Sequence, residues 1–191
     1  MTEKQKIKDY NLMLQKYSDK KSFIKFCRTV CGQEENLSGF ILGLSKKFVF
    51  LQLNYDFMLD GFAIFRLDDF DSIRHSCYER TKRKIFKAEG LLDNGFGFDK
   101  QLPLTSWTDI FKNLRNYNYH VIVENINKDY LDFWIGEIKS VTDKSVSIHN
   151  YNPDGELDDN PKKIKFETIS VLTFGDRYST TFRKYLKEKA K

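Results

Sequence analysis

Apolar residues in two parts of the chain recur with the same helical spacing. In each part, four of them fall at positions i, i+3, i+4 and i+7, the spacing that puts side chains on one face of an α-helix. The two sets lie 97 residues apart and are Tyr10, Met13, Leu14 and Tyr17, and Trp107, Ile110, Phe111 and Leu114. The pattern predicts amphipathic helices over about 3–17 and 106–116, the second with Ser106 as its N-cap.

Short apolar runs separated by turn residues follow each of these helices. The runs are rich in Val, Ile and Phe, a composition and spacing typical of a β-sandwich or a small barrel. The predicted strands are 22–30, 38–44, 47–55, 62–67 and 70–76 in the first half, and 119–126, 133–140, 144–151, 162–167 and 169–174 in the second. A basic helix closes each half, over about 78–90 and 177–189.

The elements of the two halves align with each other in the same order. The offset is 97 residues from the first helix to the third strand, and 99 to 100 residues later on, where Arg83 meets Arg183. Between these stretches the register changes at a predicted turn, where Asp60-Gly61 meets Asp154-Gly155. Self-similarity of this kind predicts an internal duplication.

The duplication divides the chain into two units and a connection. The first helix-plus-barrel unit is predicted over 1–92 and the second over 105–191, with a linker over 93–104. Each unit is long enough to bury a small core of its own. The linker contains Gly95 and Gly97 and has no clear apolar period, so we expect it to be flexible.

A helix followed by five bent strands, with a glycine early in the second strand, resembles the Sm-like fold and, more broadly, the small SH3-like barrels. The glycines are Gly39 and Gly136. The resemblance implies a mainly β fold with helices, of the α+β class: two tandem Sm-like or SH3-like five-stranded barrels, each preceded and followed by a helix. The RNA pocket of Sm proteins is not implied, because its Asp and Asn positions hold other residues. These are Ser45 and Val49 in the first copy, and Thr142 and Val146 in the second.

Basic residues concentrate in the predicted helices, although the formal net charge is only +5. The candidates for contact with phosphates are Arg80, Lys82, Arg83, Lys84 and Lys87, and Arg183, Lys184 and Lys187. A basic outer face is also typical of an ordinary soluble helix. Nucleic-acid binding through the basic helices is therefore the alternative function and not the first one.

Three cysteines and a histidine raise the question of a metal site. Cys27 and Cys31 fall at the end of the first predicted strand, and His75 and Cys77 fall at the end of the fifth. Those strands are neighbours in an Sm-like barrel, so four zinc-type ligands would lie close together. The spacing is loose and the second copy has no matching set. We therefore expect buried thiols, no metal and no cofactor, and the odd cysteine count fits a reducing compartment.

Other candidate chemistry is weaker. The acidic runs at 68–71 and 154–159 lack the alternating oxygen ligands of a calcium loop, so solvated turns are expected there. The three histidines, His75, His120 and His149, share no motif with a serine or cysteine nucleophile. Because no catalytic signature is present, the chain is not expected to be an enzyme.

The remaining features bound the compartment and the partner. The chain has no apolar run of about 18 residues and no apolar signal core near its start, so a cytoplasmic protein without a membrane span is expected. Tandem small barrels offer sheet edges and aromatic grooves, which are common partner surfaces. The sequence therefore predicts a non-catalytic interaction module with a protein partner, in a monomer or a dimer.

Overall fold

The computed structural model describes residues 3–30, 32–126 and 131–187. Within them the protein is mainly β and contains four α-helices. The helices are α1 (Glu3–Asp19), α2 (Cys77–Ala88), α3 (Trp107–Asn116) and α4 (Arg177–Phe182). The strands are β1 (Phe23–Val30), β2 (Gln33–Leu44), β3 (Phe48–Tyr55), β4 (Met58–Arg66), β5 (Ser72–Arg74), β6 (His120–Ile126), β7 (Leu131–Val141), β8 (Ser145–Asn150), β9 (Lys162–Lys165) and β10 (Ile169–Phe174). All the predicted strands are confirmed, and most of their ends are correct to within a few residues.

The last predicted helix is too long. A helix was expected over 177–189, but α4 ends at Phe182 and a single 3-10 turn, Arg183–Tyr185, follows it. Leu186 is already extended, and the backbone N–H of Lys187 donates to the carbonyl of Gly155 at 2.8 Å. This long-range hydrogen bond takes the chain away from the helix axis, and a local pattern could not have predicted it.

The turn expected at Asp60-Gly61 lies elsewhere. Both residues are inside β4, and the chain reverses at Asp56 and Phe57 instead. Asp56 adopts a φ of 47°, and the side chain of Asn54 donates to its carbonyl at 2.9 Å. Aspartate tolerates the left-handed region, so the tight turn needs no glycine.

The ten strands described form one continuous antiparallel sheet in the order β5-β1-β2-β3-β4-β10-β6-β7-β8-β9. Within each half the order is therefore fifth, first, second, third, fourth. The halves join where β4 pairs with β10, with Phe65 opposite Val171 and Phe62 opposite Phe174. At the two outer edges, β5 has only three residues and β9 exposes lysines, features that discourage further strand pairing.

The sheet is strongly curved. Three strand spacings separate β1 from β4, which would be about 14 Å in a flat sheet. The rings of Phe26 on β1 and Phe65 on β4 are nevertheless 4.9 Å apart. The curvature also brings Arg28 of β1 to Glu124 of β6, at 3.1 Å.

Both second strands need a glycine at the same place. A Cβ on Gly39 would lie 2.1 Å from the carbonyl oxygen of Gln52, and a Cβ on Gly136 would lie 2.0 Å from that of His149. In both halves the register with the next strand shifts just beyond the glycine. Each glycine therefore permits a close crossing of two strands in the curved sheet, at the position expected for a sharp bend.

The cores of the two halves are linked through β3. Val49 and Leu51 of β3 face the first core, while Phe48 and Phe50 of the same strand pack with the residues of α3 and β10. Because β3 is buried on both faces, the first half contributes directly to the core of the second.

The linker is packed instead of loose. Phe96 contacts Phe40 in the first half, with ring centroids 5.4 Å apart. Phe98 contacts Phe62 and Phe174, at 5.0 and 5.7 Å. The glycines at 95 and 97 have positive φ values, which turn the chain between these two aromatic anchors. The expectation of a flexible linker is corrected accordingly.

Candidate functional site

A groove lies where the two halves meet, between the β3–β4 hairpin and α4. Its volume is about 690 Å³, and its lining residues are Tyr55, Met58, Asp60, Arg177, Tyr178, Thr181, Phe182 and Tyr185. We call it the aromatic groove. A volume of this size falls within the range of ordinary ligand-binding sites.

Close backbone packing sets the position of α4 beside the hairpin. Asp176 is the N-cap of α4, and its carboxylate accepts the N–H of Ser179 at 2.8 Å. A Cβ on Gly61 would lie 2.6 Å from the backbone nitrogen of Asp176, so only glycine allows this approach. The carboxylate of Asp60 accepts the N–H of Arg177 at 2.7 Å. The helix is therefore fixed to β4 at its first turn.

The aromatic groove carries large apolar side chains that water reaches. Tyr178 is 55% exposed and Tyr185 is 74% exposed, and Tyr55 and Met58 face the same opening. Phe57, at the hairpin tip, is also exposed. Exposed apolar residues scattered singly are normal, whereas these side chains gather around one opening.

The floor of the aromatic groove is an aromatic stack. The rings of Phe182 and Tyr151 are 5.1 Å apart and their planes differ by only 6°. Beneath them lies His120, whose ring centroid is 6.0 Å from that of Tyr151. Burial, with a smaller effect of Arg183, lowers the pKa of His120 to about 4, and burial raises the pKa of Tyr151. Both groups are neutral at neutral pH, so the floor is uncharged.

One cation lies beside this apolar surface. The guanidinium of Arg177 contacts the Met58 sulfur at 3.7 Å, which is a weak interaction, and no ion pair to it occurs in the described part of the chain. Its remaining N–H groups are thus available to a carboxylate. Tyrosine, methionine, phenylalanine and arginine are also the residue types enriched at protein interfaces.

The predicted basic residues do not form one surface. Arg83 donates to the carbonyls of Lys21 and Lys20, at 2.7 and 2.8 Å, and Arg183 donates to the carbonyl of Asn118 at 2.8 Å. These two arginines make the same contact in the two halves, between the closing helix and the end of the opening helix. Their role is therefore structural.

The other basic candidates divide between the two halves. Lys187 pairs with Glu156 at 3.1 Å, and the Lys82 ammonium lies 5.0 Å from the ring of Phe23, where burial lowers its pKa. Arg80, Lys84 and Lys87 of α2 and Lys184 beyond α4 are exposed and form no ion pair within the described residues. Since α2 packs on β1 and α4 on β6, the two basic segments belong to different parts of the sheet.

Cys27, His75 and Cys77, the three cysteine and histidine candidates that the structure describes, do not come together as a site. The strands β1 and β5 are neighbours, as the resemblance implies, but Cys27 lies opposite Ser72. His75 contacts the carbonyl of Phe23 at 3.0 Å, and Cys77 is exposed in the first turn of α2. Cys31 lies outside the described residues. Among those that are described, no group of three or more metal-ligating side chains comes together.

The remaining candidates make ordinary structural contacts. His149 contacts the carbonyl of Asp158 at 3.0 Å, and Asp69 of the first acidic run pairs with Arg66 at 3.0 Å. The buried Arg28 pairs with Glu35 at 2.6 Å and with Glu124, and it donates to Ser170 as well. These contacts stabilise the fold.

One feature of the sequence could have indicated the aromatic groove: the apolar residues around the β3–β4 turn. Tyr55, Phe57 and Met58 surround a hairpin turn, and turns normally carry polar residues. Three large apolar side chains at a solvent-exposed tip are therefore unusual. Their neighbours on α4 could not be found in this way, because the pairing of β4 with β10 joins segments more than 100 residues apart.

Comparisons with known protein families, with curated proteins and with solved structures gave no match. In the described part of the chain, none of the helices has both the length and the apolar character needed to cross a membrane.

Proposed function

We propose that this chain is a non-catalytic binding module and that a partner protein docks in the aromatic groove. The observation that carries the proposal is the exposure of Tyr178, Tyr185, Tyr55 and Met58 around one opening above an aromatic floor. Leaving this much apolar surface in water is unfavourable, by about 25 cal/mol for each Å². A partner that covers it recovers that free energy.

The partner segment is a short peptide that carries an aromatic or long aliphatic anchor next to an acidic residue. The anchor packs between Tyr178 and Met58, over the uncharged stack of Phe182. The acidic residue pairs with Arg177, whose guanidinium has only the weak sulfur contact. An anchor in a preformed pocket with a charged contact at its rim is a common arrangement in protein recognition.

The scaffold for this groove is, in our proposal, a tandem pair of Sm-like or SH3-like barrel units that arose by duplication. The strand order fifth, first, second, third, fourth recurs in both halves, as do the close crossings at Gly39 and Gly136. Arg83 and Arg183 add a third shared feature. The short outer strand β5 and the lysines of β9 favour a monomer.

Nucleic-acid binding through the basic helices has less support. Arg83, Arg183 and Lys187 are occupied by contacts within the chain, which leaves separate groups of cations instead of a continuous track. A charge reversal at Arg83 is also a poor test of such binding, because it would disturb the contact between α2 and α1.

A peptide selection tests the proposed function and does not require the partner to be identified first. Full-length protein is used to select binders from a random peptide library, and the affinity of the enriched peptides is measured for three variants. We expect Tyr185→Ala and Met58→Asp to weaken binding about tenfold or more. The control Tyr78→Ala should have no effect, since Tyr78 is the counterpart of Tyr178 in the first half and is 73% exposed.

Two results would count against the proposal. The first is that no peptide is enriched over an unrelated protein. The second is a concentration-dependent dimer that Met58→Asp abolishes, because the groove would then be covered by a second copy of the chain.

A further inference from the structure

A second cavity, separate from the aromatic groove, lies where the end of α1 meets α2. Its volume is about 580 Å³, and its lining residues are Asp19, Lys20, Lys21, Ser22, His75, Arg80, Arg83 and Lys84. We call it the basic pocket. Five of its eight lining residues are lysine or arginine and one is acidic, so the pocket has a strongly positive potential.

Two of the five cations have structural roles. Arg83 fixes α2 to the carbonyls of Lys20 and Lys21. The ammonium of Lys21 donates to the carbonyl of Leu92 at 3.1 Å and lies 4.7 Å from the ring of Phe96. These contacts hold the walls of the pocket together and account for Arg83 and Lys21.

The other three cations have no such role. Lys20, Arg80 and Lys84 are exposed, and none of them forms an ion pair within the part of the chain that the structure describes. Asp19, the acid of the pocket, accepts a hydrogen bond from Gln15 at 2.8 Å. Holding three like charges around one concavity is unfavourable in the absence of an anion.

The second half shows that the fold does not require two of these charges. The contact of Arg83 with the end of α1 recurs as the contact of Arg183 with the end of α3. At the matching positions, Lys84 is matched by Lys184, but Lys20 is replaced by Tyr117 and Arg80 by Thr180. The same junction therefore forms without Lys20 and Arg80, the two cations that belong to the first half alone.

We propose that the basic pocket binds a small ligand that carries a diphosphate group. The fork of an arginine matches phosphate oxygens, and lysines add point charges around it, so Arg80 with Lys20 and Lys84 suits a compact polyanion. A volume of about 580 Å³ is within the usual range for small-molecule sites. A long nucleic acid fits less well, because the cations surround a concavity and do not form a continuous track.

Calorimetric titration of the full chain tests this site. The probes are inorganic pyrophosphate, ADP, sulfate and a mixed single-stranded oligonucleotide, each at low salt. We expect saturable binding of pyrophosphate and weaker binding of sulfate. If ADP binds more tightly than pyrophosphate, the ligand is a nucleotide; if it does not, the ligand is diphosphate itself, and both results support the site.

The variants replace first-half residues with their second-half counterparts. Arg80→Thr and Lys20→Tyr should each lower the affinity for pyrophosphate about tenfold, because each removes a charged contact. The control is Lys112→Thr, which removes an exposed lysine from α3. It should leave the affinity unchanged.

Thermal unfolding without ligand separates binding from folding. Because threonine is a poorer helix former than arginine, this comparison uses Arg80→Ala in α2. If the cations serve a ligand, Arg80→Ala should unfold at the same temperature as the wild type or a higher one, since it relieves repulsion. The proposal is overturned if pyrophosphate does not bind saturably, or if Lys112→Thr weakens binding as much as Arg80→Thr. It is also overturned if the oligonucleotide binds more tightly than both small phosphates, or if Arg80→Ala lowers the unfolding temperature.

Discussion

The backbone N–H of Arg177 donates to the carboxylate of Asp60 across the junction of the two halves, at 2.7 Å. The two residues are 117 positions apart, and both line the aromatic groove. Next to them, Gly61 lies against the backbone of Asp176. The groove is therefore a product of the way the halves are joined and does not belong to either half.

Substitution of Gly61 tests this junction. Gly61→Ala should destabilise the protein by about 1–3 kcal/mol, because the new Cβ would meet the backbone of Asp176 and because φ is +69°. The matched control is Gly95→Ala, where φ is +73° but the space around the position is open. Urea unfolding should show a clearly smaller loss for Gly95→Ala. Equal losses would mean that backbone strain alone is responsible.

Replacing the glycine at either strand crossing should destabilise the protein to a similar extent. Gly39→Ala and Gly136→Ala each place a Cβ about 2 Å from a carbonyl oxygen of the neighbouring strand, so each should cost about 3 kcal/mol or more. Gly43→Ala, in the same strand as Gly39, meets the side chains of Leu104 at 3.1 Å and Phe50 at 3.7 Å and no backbone carbonyl, so it should cost much less. If only one of the two crossings is sensitive in chemical denaturation, the halves do not share this feature.

The paired arginines should affect stability. Arg83→Ala removes hydrogen bonds to two carbonyls and Arg183→Ala removes a bond to one, so we expect losses of about 2 and about 1 kcal/mol in unfolding measurements. Arg80→Ala, three residues before Arg83 on the same helix, should leave stability unchanged. A neutral Arg83→Ala would show that the contact has no structural role.

Lowering the pH should destabilise the N-terminal end of α2, because it protonates the carboxylate of Glu79. Burial raises the pKa of this carboxyl, but hydrogen bonds from Arg74 and Ser76 outweigh it, and the pKa falls to about 2. Its contribution to stability is complete above the ordinary value of 4.5 and is lost as the pH falls toward 2. Glu79→Gln should therefore cost about 2 kcal/mol at neutral pH and clearly less at pH values between these limits. Urea unfolding of both proteins at several pH values measures this, and a difference that does not change with pH would contradict it.

Local patterns were sufficient for most of the fold. Alternating apolar residues predicted the strands, and the helical stripes predicted α1 and α3, because both depend on neighbours in sequence. The Ser106 cap was also correct, as its hydroxyl accepts the N–H of Asp109 at 3.1 Å. The end of α4 was wrong because it depends on the distant contact between Lys187 and Gly155.

The candidate sites were harder to predict for the same physical reason. The basic residues were predicted as phosphate contacts, but Arg83 and Arg183 bind carbonyls near the ends of α1 and α3, more than 60 residues away. The linker was expected to be loose because of its glycines, whereas Phe96 and Phe98 anchor it in the cores. In each case a long-range contact decided what a residue does.

Crosslinking from one position tests the central claim, that a partner protein docks in the aromatic groove, most directly. A photoreactive phenylalanine analogue is placed at position 178, and at position 78 as the matched control, and the full chain is illuminated in its native cells. We predict one protein species crosslinked from position 178 and not from position 78, and loss of that product with Met58→Asp. The same products from both positions, or a crosslink only to another copy of this chain, would contradict the account.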